Sequence, residues 1–114
     1  MSEPPAVQIQ FSAEFKTQLR SLAKRYRQIR SDLQSLITRL QAGEFLGDQI
    51  PGTGFTVFKV RVKNSDIRKG KRVGYRVIYQ VIEPTSVLLL LIYAKSDRTD
   101  VTAAEIQAVI KEYQ

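Results

Sequence analysis

The stretch FKVRVKNSDIRKGKRVGYRVIYQVIEPTSVLLLLIYAK, Phe58–Lys95, decides the fold because it predicts three consecutive strands. In Phe58–Lys63, apolar side chains alternate with basic ones, which is the two-residue period of a strand with one polar face. Arg72–Ile82 predicts a second strand, and the turn EPTS leads from it into Val87–Ala94. This last run is apolar throughout, so we expect a central strand buried on both faces of an antiparallel meander.

The residues before this stretch predict one strand and two helices. Val7–Phe11 alternates apolar and polar side chains, as a strand does. Ala13–Arg27 then repeats apolar residues at the spacing of a helix face, with Ser12 placed to cap it. A second helix with the same periodicity includes Ile29–Leu40, and Ser31 is a possible cap. A helical hairpin therefore precedes the meander.

The remaining segments complete a β-α-α-β-β-β-α order. The second helix should stop at Gly43, and the glycine-rich segment 43–55 is expected to be a loop. Thr102 and Glu105 have the spacing of a capping box, and the helix they start should bury an apolar face that includes Tyr113. The prediction is a small α+β domain at residues 7–114 after a flexible leader at 1–6. Because each helix has a single apolar stripe, we expect all three on one face of a twisted, mainly antiparallel sheet.

The positive charge of the chain is concentrated in one window. The 114 residues carry a formal net charge of +7, from 18 Lys and Arg against 11 Asp and Glu. Lys59–Arg76 holds eight of the basic residues and one acidic residue, Asp66, so this window alone accounts for the excess. A local excess of this kind indicates a polyanionic partner more strongly than dispersed charge would.

Composition excludes several kinds of chemistry. The chain has no Cys and no His, which removes thiol catalysis, disulfides and the commonest metal ligand. We expect no metal and no cofactor, and we assign Asp97, Asp100 and Glu105 to turn formation and capping. The N-terminus lacks the pattern of a signal peptide, and the longest apolar run is too short to span a bilayer, which suits a cytoplasmic protein.

The basic residues of the predicted strands share one sheet face. Lys59, Arg61 and Lys63 alternate on the first strand, Arg76 follows on the next, and Tyr93 and Lys95 lie on the third. Alternating charges alone are typical of a solvated strand face. Four cations and an aromatic ring on adjoining strands favour a phosphate-binding surface, with Arg as the bidentate ligand and Tyr as a stacking platform.

Such a surface has two possible uses, which composition does not distinguish. RNA carries its own nucleophile, the 2′-hydroxyl, so a metal-free ribonuclease needs only positioning, charge stabilisation and proton transfer. Arg can stabilise the developing charge, while Lys or Tyr can transfer protons. A passive RNA-binding domain would use the same residues without cleavage. Tyr75 and Tyr79 share a strand face with valines and are typical of core residues, although Tyr79 is near the site in sequence.

These motifs resemble the RelE/ParE superfamily of type II toxins, on its HigB-like and RelE-like side. The matching features are a K-x-R strand at Lys59 and Arg61, a basic hairpin ending in Y-R-V-I-Y at Tyr79, and a Y-x-K pair at Tyr93 and Lys95. The acidic loop and short helix after Lys95 also correspond. The resemblance covers the C-terminal two-thirds of the chain, whereas the helical hairpin agrees in type and not in motif.

The resemblance implies a toxin that cleaves mRNA on the ribosome, with rRNA contacts. It also implies a cognate antitoxin that neutralises the toxin by covering the basic groove or by wrapping the domain. The residues it places in the catalytic site are Arg76, Lys59, Arg61, Lys95 and Tyr93. Arg76 would stabilise the phosphate, while the other cations hold the backbone and help proton transfer. Tyr79 is a second aromatic candidate from the same match. The residues predicted to bind RNA around this site are Lys63, Lys69, Lys71, Arg72 and Tyr79.

Departures from the family pattern keep alternatives open. The usual Gly-Gly before Tyr-Arg is Val73-Gly74 here, and the general base is not identified. Tyr113 lies on the predicted apolar helix face, so we do not assign it to catalysis. ParE-type members of the superfamily poison DNA gyrase on the same fold. The K-x-R and Y-x-K pairs favour the ribonuclease, with gyrase inhibition or an inactive RNA-binding toxin as alternatives.

Overall fold

The computed structural model describes residues 6–66 and 74–114, so the leader 1–5 and the basic segment 67–73 lie outside it. It confirms the predicted α+β class and adds one short strand to the predicted order. The elements are β1 Gln8–Phe11, α1 Ala13–Ala23, α2 Ile29–Gln41, β2 Asp48–Gln49, β3 Val57–Val62, β4 Tyr75–Glu83, β5 Ser86–Ala94 and α3 Ala103–Tyr113.

The strands form one sheet in the order β1-β5-β4-β3-β2. The meander of β3, β4 and β5 is antiparallel, as predicted, and β1 adds to β5 in parallel. The central position predicted for β5 is confirmed, because it lies between β1 and β4 and its residues 87–94 are buried. Continuous burial on both faces explains why this strand is apolar without alternation.

The helices cover both faces of the sheet, which corrects the expectation that all three share one. Helices α1 and α2 pack on the face that carries Val60, Val77 and Leu89. Helix α3 packs on the opposite face through Ile106 and Ile110, against a separate apolar cluster. The basic face is therefore open only where α3 does not cover it.

A bulge in β5 provides the apolar surface for α3. Ile78 pairs with Leu91 while Tyr79 pairs with Leu89, which leaves Leu90 as an extra residue on β5. Leu90 and Leu91 consequently both belong to the cluster under α3. Beyond the bulge the alternation resumes, and Tyr93 lies on the same face as this cluster.

The N-terminal helices differ from prediction at their ends. Ser12 caps α1 as expected, accepting the N–H of Phe15 at 2.9 Å, but α1 ends at Ala23 and not near Arg27. The chain leaves the helix early because Tyr26 packs edge-on against Tyr75 of β4. The predicted cap Ser31 lies inside α2, which begins at Ile29.

Two carboxylates fasten the turn between α1 and α2 to the end of β3. Gln28 precedes α2 without a side-chain cap, and its N–H is bound at 2.9 Å by Asp66. Asp32 in the first turn of α2 accepts the N–H of Ser65, also at 2.9 Å. The acceptor for the N–H of the residue that precedes α2 thus comes from a segment distant in sequence, which the local sequence pattern does not reveal.

Strand β2 lies inside the segment expected to be a loop. It pairs with Phe58 and Lys59 of β3 through two residues, too few to give an alternating pattern. Gly47 precedes it with φ +101°, and a Cβ there would lie 2.3 Å from the carbonyl oxygen of Lys59. The close approach of the two chains therefore requires glycine at this position.

Helix α3 confirms the predicted capping box and corrects one core residue. Thr102 accepts the N–H of Glu105, whose carboxylate accepts the N–H of Thr102. Ile106 and Ile110 are buried as expected, but Tyr113 is 44% exposed and donates a hydrogen bond to Gln10 at 3.0 Å. Within the described residues, none of the helices is long and apolar enough to span a bilayer.

Candidate nucleic-acid interface

Three of the predicted site residues form a row across the sheet. Arg61 on β3 lies directly opposite Arg76 on β4, and Arg76 lies opposite Tyr93 on β5. Their side chains belong to the face on which α3 packs, since their neighbours Val60 and Val77 point to the other. The structure thus brings together residues that are separated by 15 and 17 positions in sequence. We call this set the Arg61–Arg76–Tyr93 row.

Arg76 is the most unusual member of the row because it is a nearly buried cation. It is 9% exposed, and the single hydrogen bond of its side chain within the described residues joins Nη1 to the carbonyl oxygen of Tyr75 at 3.3 Å. Burial lowers the pKa of the guanidinium, and the facing Arg61 lowers it further. No carboxylate of the described part of the chain pairs with it. Folding therefore holds Arg76 charged beside a like charge, at a cost in stability.

Tyr93 is buried beside Arg76, and its hydroxyl group makes no hydrogen bond to the described residues. The residue is 6% exposed. Burial raises the pKa of Tyr93, so the phenol keeps its proton at neutral pH. The guanidinium of Arg98 lies over the ring, 5.5 Å from its centroid. The structure therefore does not leave this ring open as the stacking platform that we expected, and it favours a role as a hydrogen-bond donor.

The two predicted lysines are held by the segment between β5 and α3. Lys59 Nζ lies 3.3 Å from Oδ1 of Asp100, and Lys95 Nζ donates to the carbonyl oxygen of Thr99 at 3.0 Å. The N–H of Val101 also binds Asp100 Oδ1, and this bond together with Lys59 lowers the pKa of the Asp100 carboxyl. A phosphate that reaches Lys59 must therefore compete with an ionised carboxylate.

The same segment contributes residues that the sequence reading assigned only to turns or overlooked. Arg98 donates from Nη2 to both carboxylate oxygens of Glu105, at 3.0 and 2.9 Å, which lowers the pKa of Glu105. This pair holds the guanidinium against Tyr93. Arg98 lies in the segment between β5 and α3 and Glu105 lies in the first turn of α3, so no periodicity connects them in the sequence. Their proximity to the row follows only from the path of the chain.

The residues predicted to bind RNA lie in different parts of the structure. Lys63 is exposed just beyond the end of β3, next to the row. Lys69, Lys71 and Arg72 lie in 67–73, outside the described residues. Tyr79 is a correction: it is fully buried on the α1–α2 face, where its hydroxyl donates to the carbonyl oxygen of Leu46 and it stacks on Phe58. It therefore cannot contact RNA on the opposite face.

The chemistry available to this site is that of cations and a neutral phenol. Two guanidiniums on adjacent strands offer donors to the oxygens of one phosphate, and Tyr93 offers a proton beside them. The described residues contain no group of three or more acidic side chains that could hold a metal ion. Charge stabilisation by arginine and proton transfer by side chains are what this arrangement supplies.

Comparison with known protein families identifies the chain as a toxin of the RelE/ParE superfamily. Residues 9–98 match the family described as the ParE toxin of the parDE type II toxin–antitoxin system. This match covers most of the chain, which therefore belongs to that family and is the toxin component of such a system, with a cognate antitoxin as the implied partner. The search of curated proteins found no significant match.

Proposed function

We propose that this toxin is a cytoplasmic endoribonuclease that cleaves mRNA on the ribosome and so inhibits translation. The observation that carries the proposal is Arg76, a nearly buried guanidinium opposite Arg61 with no carboxylate partner among the described residues. An anion is the ligand that would relieve this arrangement. A phosphodiester is the anion whose geometry matches two guanidiniums on adjacent strands.

The proposed reaction is an in-line transesterification within the RNA. The 2′-hydroxyl gives up its proton to a base or to water as its oxygen attacks the adjacent phosphorus. The bond to the 5′-oxygen breaks and this oxygen takes up a proton, so the products are a 2′,3′-cyclic phosphate and a 5′-hydroxyl. Arg61 and Arg76 would stabilise the charge that develops on the non-bridging oxygens. Because it retains its proton and lies beside Arg76, Tyr93 is suited to protonate the leaving 5′-oxygen.

The lysines would hold the substrate and take part in proton transfer. Lys59 is two residues from Arg61 on the same strand face, about 7 Å along β3, which is close to the spacing of successive phosphates on an extended RNA strand. Lys59 forms an ion pair with Asp100 in the free protein. Binding of RNA would replace this pair with one between Lys59 and a phosphate. The ribosome would complete the site by presenting the mRNA in an extended form and by offering rRNA contacts to the basic surface.

Inhibition of DNA gyrase is the second candidate, and the family match favours it. The matched family is named for the ParE toxin of the parDE system. ParE-type members of the superfamily are the ones that poison DNA gyrase. In that case the row would contact acidic groups of the protein target and no RNA would be cut. Arg76 would still matter for toxicity, so loss of toxicity in an Arg76 variant does not separate the two candidates.

The experiment that separates them gives the purified toxin two substrates in parallel. One is an mRNA on programmed ribosomes, with the 5′ ends of fragments mapped. The other is relaxed plasmid DNA with gyrase, with supercoiling and double-strand breaks measured. The nuclease proposal predicts breaks within the ribosome-bound codon and normal supercoiling. Intact mRNA with inhibited gyrase would overturn the nuclease proposal and establish the alternative.

A further inference from the structure

The outer edge of β5 changes its neighbour halfway along the strand. Strand β1 pairs only with the first half of β5, up to Leu89, and helix α1 lies beside the second half. Ser12, the cap of α1, donates to the carbonyl oxygen of Leu90 at 2.7 Å. Further along the helix, Gln18 accepts the N–H of Ile92 at 2.8 Å. Side chains of α1 therefore take hydrogen bonds that another strand would need, without filling all the space beside this edge.

A cavity of about 590 Å³ lies between α1 and this part of β5. Its lining includes the buried apolar side chains of Leu22 and Ile92. Thr17, Gln18 and Ser21 of α1 add hydroxyl and amide groups. The volume is within the range of small-molecule sites, which likewise combine an apolar surface with a few polar groups. We call this cavity the α1–β5 pocket.

Positive charge surrounds the α1–β5 pocket. The segment Ala13–Arg27 carries five cations and one carboxylate. Lys24 lines the pocket, is exposed, and forms no ion pair within the described residues. Arg25 also lines it, but Asp97 binds this guanidinium through both carboxylate oxygens, and the guanidinium lies 5.0 Å from the ring centroid of Tyr26. Lys24 is therefore available to a phosphate, while Arg25 presents a fixed planar group on which a base can stack.

The pocket continues the Arg61–Arg76–Tyr93 row beyond its last member. Tyr93 belongs to both, since it also lines the α1–β5 pocket. Neighbouring strands lie about 4.8 Å apart, so the row extends about 10 Å from β3 to β5 and the pocket begins at the next step. A nucleic-acid chain with one phosphate on Arg61 and Arg76 would therefore reach the pocket with a neighbouring nucleotide.

We propose that the α1–β5 pocket is a nucleotide subsite, which receives the base of a nucleotide next to the phosphate held by the row. The base would lie against Leu22 and Ile92. Gln18 and Ser21 would bind its polar edge, and Lys24 would bind its phosphate. Proteins recognise the unstacked bases of single-stranded RNA in this way, through a flat contact and a few hydrogen bonds. As a subsite for RNA the assignment rests on the proposed nuclease function, whereas binding of a nucleotide does not.

Two other cavities near the row lack this combination of features. The one beside Lys59 is lined by the carboxylates of Asp48 and Asp100, which would repel a phosphate. The one beside Arg61 has a volume of about 110 Å³, far below that of the α1–β5 pocket and below the range of small-molecule sites. The α1–β5 pocket is therefore the better match in both charge and size.

Nuclear magnetic resonance of the isotope-labelled toxin tests the assignment without any cleavage. The ligands are the common ribonucleoside 5′-monophosphates, and ribose 5-phosphate is the control that lacks a base. Each nucleotide that binds should shift the amide signals of Gln18, Ser21 and Ile92 along one saturable curve. The Ile92 amide is a direct reporter because its acceptor is Gln18. Equal shifts with ribose 5-phosphate, or shifts confined to the row, would overturn the proposal.

An oligonucleotide distinguishes an RNA subsite from a site for free nucleotides. A trinucleotide with 2′-O-methyl groups lacks the proposed nucleophile and stays intact. It should shift the amides of Ile92 and Arg76 together and bind about tenfold or more tightly than a monophosphate, because one chain then fills the row and the pocket. Pocket shifts with monophosphates and none with the trinucleotide would refute the assignment as an RNA subsite.

A matched pair of variants tests whether the ligand lies in the pocket. Ser21→Phe fills the pocket from an exposed position on α1, and Ser31→Phe makes the same change at an exposed position on α2, outside it. Ser21→Phe should weaken nucleotide binding about tenfold or more, the effect of losing one base contact, and Ser31→Phe should leave it unchanged. Equal binding by the two folded variants would contradict the proposal.

Failure of this inference and failure of the nuclease proposal give different results. A toxin that binds nucleotides in the pocket but cuts no mRNA would retain the nucleotide site and lose the nuclease. A toxin that cuts mRNA while monophosphates and the trinucleotide leave the amides of Gln18, Ser21 and Ile92 unshifted would lose the subsite and retain the nuclease.

Discussion

Replacing Arg76 with methionine should make the folded protein more stable while removing its toxicity. Methionine reproduces the unbranched aliphatic stem of arginine without the guanidinium, so it packs between Arg61 and Tyr93 without a cation to desolvate. Burial lowers the pKa of Arg76 in the folded state. A base with a lowered pKa is penalised at every pH below that value, so the cost of the charge persists across the neutral range.

The size of the gain follows from what the substitution changes. Relief of the like-charge pair with Arg61 is worth about 0.2–1 kcal/mol. The aliphatic stem of Arg76 already packs in the sheet, so methionine adds only part of the usual gain from burying an apolar side chain. Together these give about 1 kcal/mol, which raises Tm by about 4–6 °C in a domain of this size.

Thermal unfolding followed by circular dichroism measures this directly. Arg20→Met is the matched control, because Arg20 is exposed on α1 and the same change there should leave Tm nearly constant. Arg61→Met alone should stabilise the protein by about a few tenths of a kcal/mol. The same change should add no stability in a protein that already carries Arg76→Met, because the like-charge pair is then absent. A fall in Tm for Arg76→Met would show that the guanidinium supports the fold, and the reasoning that it is held for a ligand would be refuted.

Three further predictions concern Asp100, Ser12 and Glu105. Asp100→Asn frees Lys59 from its ion pair, so affinity for single-stranded RNA at low salt should rise about two- to fivefold, measured by fluorescence anisotropy; weaker binding would contradict a competing role for the carboxylate. Ser12→Ala removes a buried cap whose hydroxyl bonds both α1 and β5, and it should cost about 2 kcal/mol in urea unfolding, whereas a loss below about 0.5 kcal/mol would argue against it. Glu105 has a lowered pKa through Arg98, so its stabilising contribution is complete above its ordinary value of 4.5 and is lost as pH falls through the lower, folded value. Glu105→Gln should flatten that part of the stability–pH curve, and an unchanged curve would exclude this linkage.

The sequence predicts the meander and its basic face because both depend on a two-residue period. Lys59 and Arg61 alternate with valines, and the structure places them on the face opposite the α1–α2 core. The central strand was likewise predictable, since Val87–Ala94 has no polar face. These features are local, and local periodicity reports directly on which side of a sheet a residue lies.

What the sequence could not predict depends on contacts between distant segments. The position of α3 on the basic face follows from Leu90, whose bulge shifts the register and leaves no signal in an apolar run. Tyr79 matches a position of the family motif, but its place in the two-residue alternation of β4 directs its side chain into the core under α1 and α2. The roles of Arg98 and Asp100 arise because the β5–α3 segment folds back over Tyr93 and Lys59, which no spacing within the loop indicates.

The most direct test of the account is single-turnover cleavage of one mRNA on programmed ribosomes by the unmodified toxin and by Arg76→Met, each shown to be folded by its melting curve. The account predicts fragments from the unmodified toxin with a 2′,3′-cyclic phosphate on one side and a 5′-hydroxyl on the other, and none from the more stable variant. Equal cleavage by both would remove Arg76 from the site. An mRNA left intact by the unmodified toxin would contradict the nuclease itself.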